Sequence, residues 1–191
     1  MQVDLRIHAS LIPGASQVTE RLSVFLDIHD PDGPEDIAWV TVELPDHGVG
    51  WQLEGDDLQY RVRGEQHWYG GAGLTVPGWS RFPRGAAVRI ITGDFGGRTA
   101  EREVRIPPTT VVPESGDFPR LAEGGVLVPA PGAIRHFMQS GDRLLELVID
   151  GASRPYVLGR ESRDELGEAD LFLIAEVSAF LWLETGPWRY P

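Results

Sequence analysis

The sequence contains no cysteine, no lysine and no asparagine. Without cysteine, disulfides, thiolate zinc sites and cysteine nucleophiles are excluded. The redox compartment stays open, because a thiol-free protein works in either. Without lysine, Schiff-base chemistry and a Gly-x-x-x-x-Gly-Lys phosphate loop are excluded. All 17 cationic side chains are therefore arginine. Coding bias in a GC-rich genome is the simplest source of this usage, and a salt-adapted host is the alternative. Positive charge is itself scarce. The 29 acids give a net charge of −12 and a pI near 4.8. No basic excess exists to neutralise phosphates, which argues against a general nucleic-acid binder and against anionic membrane surfaces.

Long apolar runs are missing too. The longest, Leu171 to Leu183, is interrupted by Glu176 and Ser178 and is too short to span a bilayer. Residues 1–20 carry Asp4, Arg6, His8 and Glu20 and no apolar core of a signal peptide. Met1 is read either as a native start or as a start placed after a removed export signal. There is no internal repeat of fixed period and no Gly-x-Ser-x-Gly elbow.

What is present reads as β-structure. The 191 residues have ordinary globular composition, 41% hydrophobic and 24% charged. Val3, Leu5 and Ile7 alternate with polar neighbours. The same period of two runs through Leu22–Ile28, Ala38–Leu44, Leu58–Val62, Ala86–Ile90 and Val104–Ile106. Such alternation puts one face on a core and the other in water. Turn residues separate the runs: Asp30-Pro31-Asp32-Gly33-Pro34, Pro45-Asp46-His47-Gly48, Glu54-Gly55-Asp56-Asp57 inside an expected hairpin, and Gly93-Asp94-Phe95-Gly96-Gly97. No helical period stands out before residue 108.

Residues 3–106 resemble a bacterial immunoglobulin-like or fibronectin type III-like domain. The resemblance is carried by Leu22–Asp36, Ile37–Leu44 and Ala87–Ile106, the last similar to the closing hairpin of such domains. It implies a β-sandwich and, for function, scaffolding or adhesion more than catalysis, although a fold alone does not fix a function. It covers about half the chain, without a cysteine pair or an identifiable tyrosine corner.

The proline-rich stretch Ile106–Pro113 reads as a stiff boundary. The expected organisation is mainly β: an immunoglobulin-like β-sandwich over 1–108, then a small β-rich domain or sandwich extension over 109–191. In the second part, Gly125–Pro129, Ile134–Gln139, Arg143–Ile149 and Pro155–Gly159 read as strands, with turns at Ser140-Gly141-Asp142 and Asp150-Gly151. Glu161–Asp170 reads as a short helix or an acidic loop. Leu171–Leu183 reads as two strands or one bent strand, with a buried helix as the alternative. Gly186-Pro187 is expected to end that element.

Chemistry-bearing patterns are sparse. His8, His29, His47, His67 and His136 have no metal-ligand spacing, so no catalytic residue, metal or cofactor is assigned. Asp27 to Gly33 looks like part of a calcium loop, but in that register Ile28 and Trp39 fall on ligand positions and supply no carboxylate. A looser site using Asp30, Asp32 and Asp36 is the alternative to a plain turn. The aromatics are more informative. His67, Trp68 and Tyr69 lie in a glycine-rich segment, with Trp79 in Pro-Gly-Trp-Ser and Trp51 nearby. Exposed indoles grip protein partners or stack on sugars; buried ones fill a core. Trp182 and Trp188 read as packing residues.

The sequence therefore predicts a non-enzymatic binding or structural module of a cell-envelope or surface assembly. Trp68, Tyr69, His67 and Trp79 are its candidate binding residues. A carbohydrate-binding module using the same aromatics beside Asp56 or Asp57 is the alternative. A sandwich-borne hydrolase would need a cleft uniting His67 with carboxylates. An extracytoplasmic location is expected, with a cytoplasmic one as the rival, and phage or secretion assemblies use similar domains.

Overall fold

The computed structural model describes residues 1–28, 36–122, 125–127, 135–140, 143–147 and 170–188. The chain is mainly β, with two sheets arranged as a sandwich. It divides into two compact units. Unit 1 comprises Met1–Ile7 and Arg21–Thr110; unit 2 comprises His8–Glu20 and Val111–Pro191. Among the described residues no helix is long and apolar enough to cross a membrane.

In unit 1, β1 (Gln2–Leu11) contributes its first half and β2 (Val18–Asp27) its second. The other strands are β3 (Ile37–Leu44), β4 (Val49–Glu54), β5 (Gln59–Arg63), β6 (Gln66–Leu74), β7 (Ala87–Asp94) and β8 (Thr99–Arg105). One sheet runs β1-β2-β6-β5 and the other β4-β3-β7-β8. This order is compatible with an immunoglobulin-like sandwich. The alternating residues form the core: Leu22, Val24, Leu26, Val40, Val42, Leu44, Val88 and Ile90 are fully buried. Each contributes roughly 1.5–3 kcal/mol by leaving water.

An expectation is corrected in unit 1, at the turn after β4. The glycine-rich segment around Trp68 is strand β6. Its glycines serve close approach: a Cβ on Gly70 would overlap the Val24 carbonyl oxygen of β2, and one on Gly71 would come within 2.8 Å of Leu53 Cδ1 on the facing sheet. The turn at Gly55–Asp57 does not close a hairpin. It carries the chain from β4 in one sheet to β5 in the other.

In unit 2, β13 (Leu171–Ser178) and β14 (Leu181–Trp188) pair antiparallel, so the apolar run is two strands. Strand β14 continues through Gly186-Pro187, a cis peptide, rather than ending there. β11 (Arg135–Ser140) pairs with both β12 (Arg143–Leu147) and β13. β9 (Arg120–Ala122) and β10 (Gly125–Leu127) form a separate pair. The order is β12-β11-β13-β14-β1-β2, with β1 and β2 supplied by the His8–Glu20 segment. Leu173, Ala175, Leu181 and Leu183 are buried, and the Thr185 hydroxyl donates to the Pro119 carbonyl. The expectations for residues 150–169 lie outside the described residues, as do His29 and most of the calcium-like loop.

Candidate functional site

The four aromatic candidates fall into two places in unit 1. Trp68 and Tyr69 sit on β6 and are buried, at 7% and 6% exposure. The Trp68 indole N–H is buried without a hydrogen-bond partner among the described residues. His67 is half-buried beside β5. The Tyr60 hydroxyl and His67 Nδ1 are 2.6 Å apart, with the two rings nearly parallel. The candidates therefore offer unequal surface: β6 buries Trp68 and Tyr69 on its two opposite faces, Trp68 beneath Arg63, while His67 borders the exposed Tyr60.

Trp79 belongs to a different constellation. Val76-Pro77-Gly78-Trp79 forms a turn closed by the Trp79 N–H donating to the Val76 carbonyl at 3.0 Å. Proline presets the first central position, and Gly78 takes the positive φ (84°) that a type II turn requires at the second. From the β3–β4 connection, Pro45-Asp46-His47 makes a 3-10 turn ending on left-handed Gly48. The two turns bring His47 edge-on to Trp79, with ring centroids 5.4 Å apart. Phe82 meets Trp79 at 6.1 Å and Trp51 at 6.3 Å. Arg84 pins the loop by donating to the carbonyls of Phe82 (2.9 Å) and Thr110 (3.2 Å). A groove of about 350 Å³ results, lined by His47, Trp79, Arg81 and Phe82. It offers an amphipathic aromatic floor with a cationic rim.

A second hollow, about 410 Å³, gathers Trp51, Gln52, Asp56, Asp57 and Gln59. The Trp51 indole N–H donates to the Thr75 carbonyl at 3.1 Å, which fixes the ring. Among the described residues no three His, Asp or Glu side chains cluster as a metal site. Asp36 lies 3.4 Å from the Arg98 guanidinium, and Asp27 accepts a hydrogen bond from Gln66. His8 packs beside Trp182 in unit 2, and His136 lies on β11.

Sequence reasoning missed three features. His47 and Phe82 meet Trp79 only through folding of separate turns. The third is a group of arginines on β1 and β5. Arg63 pairs with Asp4 at 2.6 Å, and Asp4 also holds Arg6 at 2.7 Å. Arg61 has no acid within 4 Å among the described residues. It donates to Gln59 and lies 3.9 Å over the Phe25 ring. Burial and then the charge of Arg63 lower its pKa; Asp4 opposes this in part, and Arg6 adds to it. An alternating run, Gln-Tyr-Arg-Val-Arg, was the available signal.

The chain matches no family model, and no curated protein or solved structure is significantly similar to it.

Proposed function

We propose that the protein is a non-enzymatic binding module of a cell-envelope or surface assembly, built on an immunoglobulin-like or fibronectin type III-like sandwich. The groove of His47, Trp79 and Phe82 carries this reading. Its aromatic rings are held by turns and hydrogen bonds rather than by the ligand, so little ordering entropy opposes binding. Trp and His present apolar area with a polar edge, the chemistry of protein hot spots. The envelope setting rests on the sequence resemblance. Fractionation of the source cells, followed by cross-linking, tests both parts. The expected result is recovery with the envelope and one cross-linked partner that Trp79→Ala loses while its melting temperature stays near wild type. Recovery from the cytosol, or cross-links indifferent to Trp79→Ala, would sink the proposal.

A second reading is a glycan-binding module using the Trp51 hollow. It is favoured by one observation: an anchored indole shares that hollow with two carboxylates and two amides, which suits a sugar's apolar face and hydroxyls. Affinity gel electrophoresis in soluble polysaccharides discriminates. Retardation abolished by Trp51→Ala would favour glycan, and unretarded migration would favour a protein partner.

A further inference from the structure

Strand β5 ends its sheet, and all five of its residues are exposed. The direction of its backbone groups follows from its neighbours. The Ile28 N–H donates to the His67 carbonyl at 3.3 Å, so the main-chain groups of His67 face β2. Alternation in an antiparallel ladder turns those of Trp68 toward β5, where Trp68 stands opposite Arg61. Arg61 and its alternates Gln59 and Arg63 therefore bond inward. Tyr60 and Val62 direct their N–H and C=O groups at the open edge.

The side chains make this edge selective. Tyr60 and Val62 are 49% and 56% exposed, an apolar pair on one face. Arg61 and Arg63 occupy the other. Arg63 is matched by Asp4, whereas Arg61 has no acid within 4 Å among the described residues and rests on Phe25 with its fork held in place. Exposed edges are commonly blunted by charge, which repels unmatched strands. The same charge attracts a strand of opposite sign, so repulsion and recognition reside in one residue.

We infer that the β5 edge takes up an extended acidic segment of another protein as an added strand. The incoming segment pairs with the backbone of Tyr60 and Val62. It sets a carboxylate against Arg61 and an apolar side chain beside Tyr60 and Val62. The edge shares no residue with the Trp79 groove, so either surface can fail alone.

The test uses full-length, isotope-labelled protein and a short capped peptide alternating Glu and Val, with a Lys/Val peptide as control. The Glu/Val peptide should slow amide exchange at Tyr60 and Val62 and leave Arg61 unchanged. Val62→Pro removes one outward donor at an edge position where proline is tolerated. It should weaken binding about tenfold or more with the fold intact. Arg61→Glu keeps the backbone and should switch preference to the Lys/Val peptide. Unaltered exchange at Tyr60 and Val62, or equal affinity of wild type and both variants, overturns the inference. Self-association abolished by Val62→Pro overturns it as well, by assigning the edge to a second copy.

Discussion

The two sheets of unit 1 end in exposed strands that treat charge in different ways. On β7, Arg89 is matched across the ladder, while Arg102 on β8 has no acid within 4 Å among the described residues. Arg89 grips Glu101 with two hydrogen bonds, at 2.8 and 3.0 Å, and Glu43 lies 3.6 Å away. The Arg89 hydrogen bond holds the Glu101 carboxyl below its ordinary range. On β5, Arg61 has cations as neighbours and a ring beneath it. Exposure alone does not distinguish these edges. What sets β5 apart is an arginine crowded by other arginines and seated on an aromatic ring.

The largest test of this contrast concerns how each sheet is anchored. Gly70→Ala puts a methyl against the Val24 backbone, which cannot move without parting β2 from β6. It should cost about 3 kcal/mol or more in urea unfolding. Gly93→Ala meets only the Trp39 ring, a side chain able to swing, and should cost about 1 kcal/mol. Equal costs would mean that β2–β6 yields as easily as a side chain.

A smaller effect belongs to the β7–β8 turn. Burial pushes the Asp94 carboxyl up. The main-chain and side-chain N–H groups of Arg98 and its charge outweigh that, and the net pKa is lowered. A carboxylate with a depressed folded-state pKa stabilises the fold above its unfolded pKa. That contribution disappears as pH falls through the folded value. Asp94→Asn should therefore melt below wild type at neutral pH, with the gap closing in acid. A gap that persists in acid would show that shape, not charge, holds the turn.

The smallest effects sharpen the edge comparison directly. Arg89→Gln removes a matched cation and should lower the melting temperature slightly, as surface pairs contribute little. Arg61→Gln removes a cation that two other arginines disfavour and should produce no fall. A fall as large as that of Arg89→Gln would erase the distinction between the edges.

Much of the sandwich was legible because its strands alternate cleanly. Leu22, Val24 and Leu26 announce a core-facing strand without any tertiary information, whereas the burial of Ser23, Phe25 and Asp27 on its other face contradicts the expectation of a face in water. Strand β6 was illegible for a physical reason. Gly70 and Gly71 interrupt the alternation of large side chains in sequence, yet they permit close contact with Val24 and Leu53. The burial of Trp68 and Tyr69 was hidden with it. Trp79 was legible through its Pro-Gly turn. Its partners His47 and Phe82 were not, because tertiary folding alone brings the turns together. The role of Arg61 depends on the acid it lacks, which no linear pattern displays.

The division of β1 and β2 between the units bears on how the protein comes into being. The His8–Glu20 segment belongs with β13 and β14, nearly the whole chain away. During synthesis it emerges long before those strands exist, with Ala9 and Val18 still to be covered. Unit 2 must close across a very long loop, which slows folding and prolongs the interval open to misassembly. Cutting the gene after Thr110 would therefore not free a clean domain. It would leave the first hairpin half-orphaned, waiting for a sheet that never arrives.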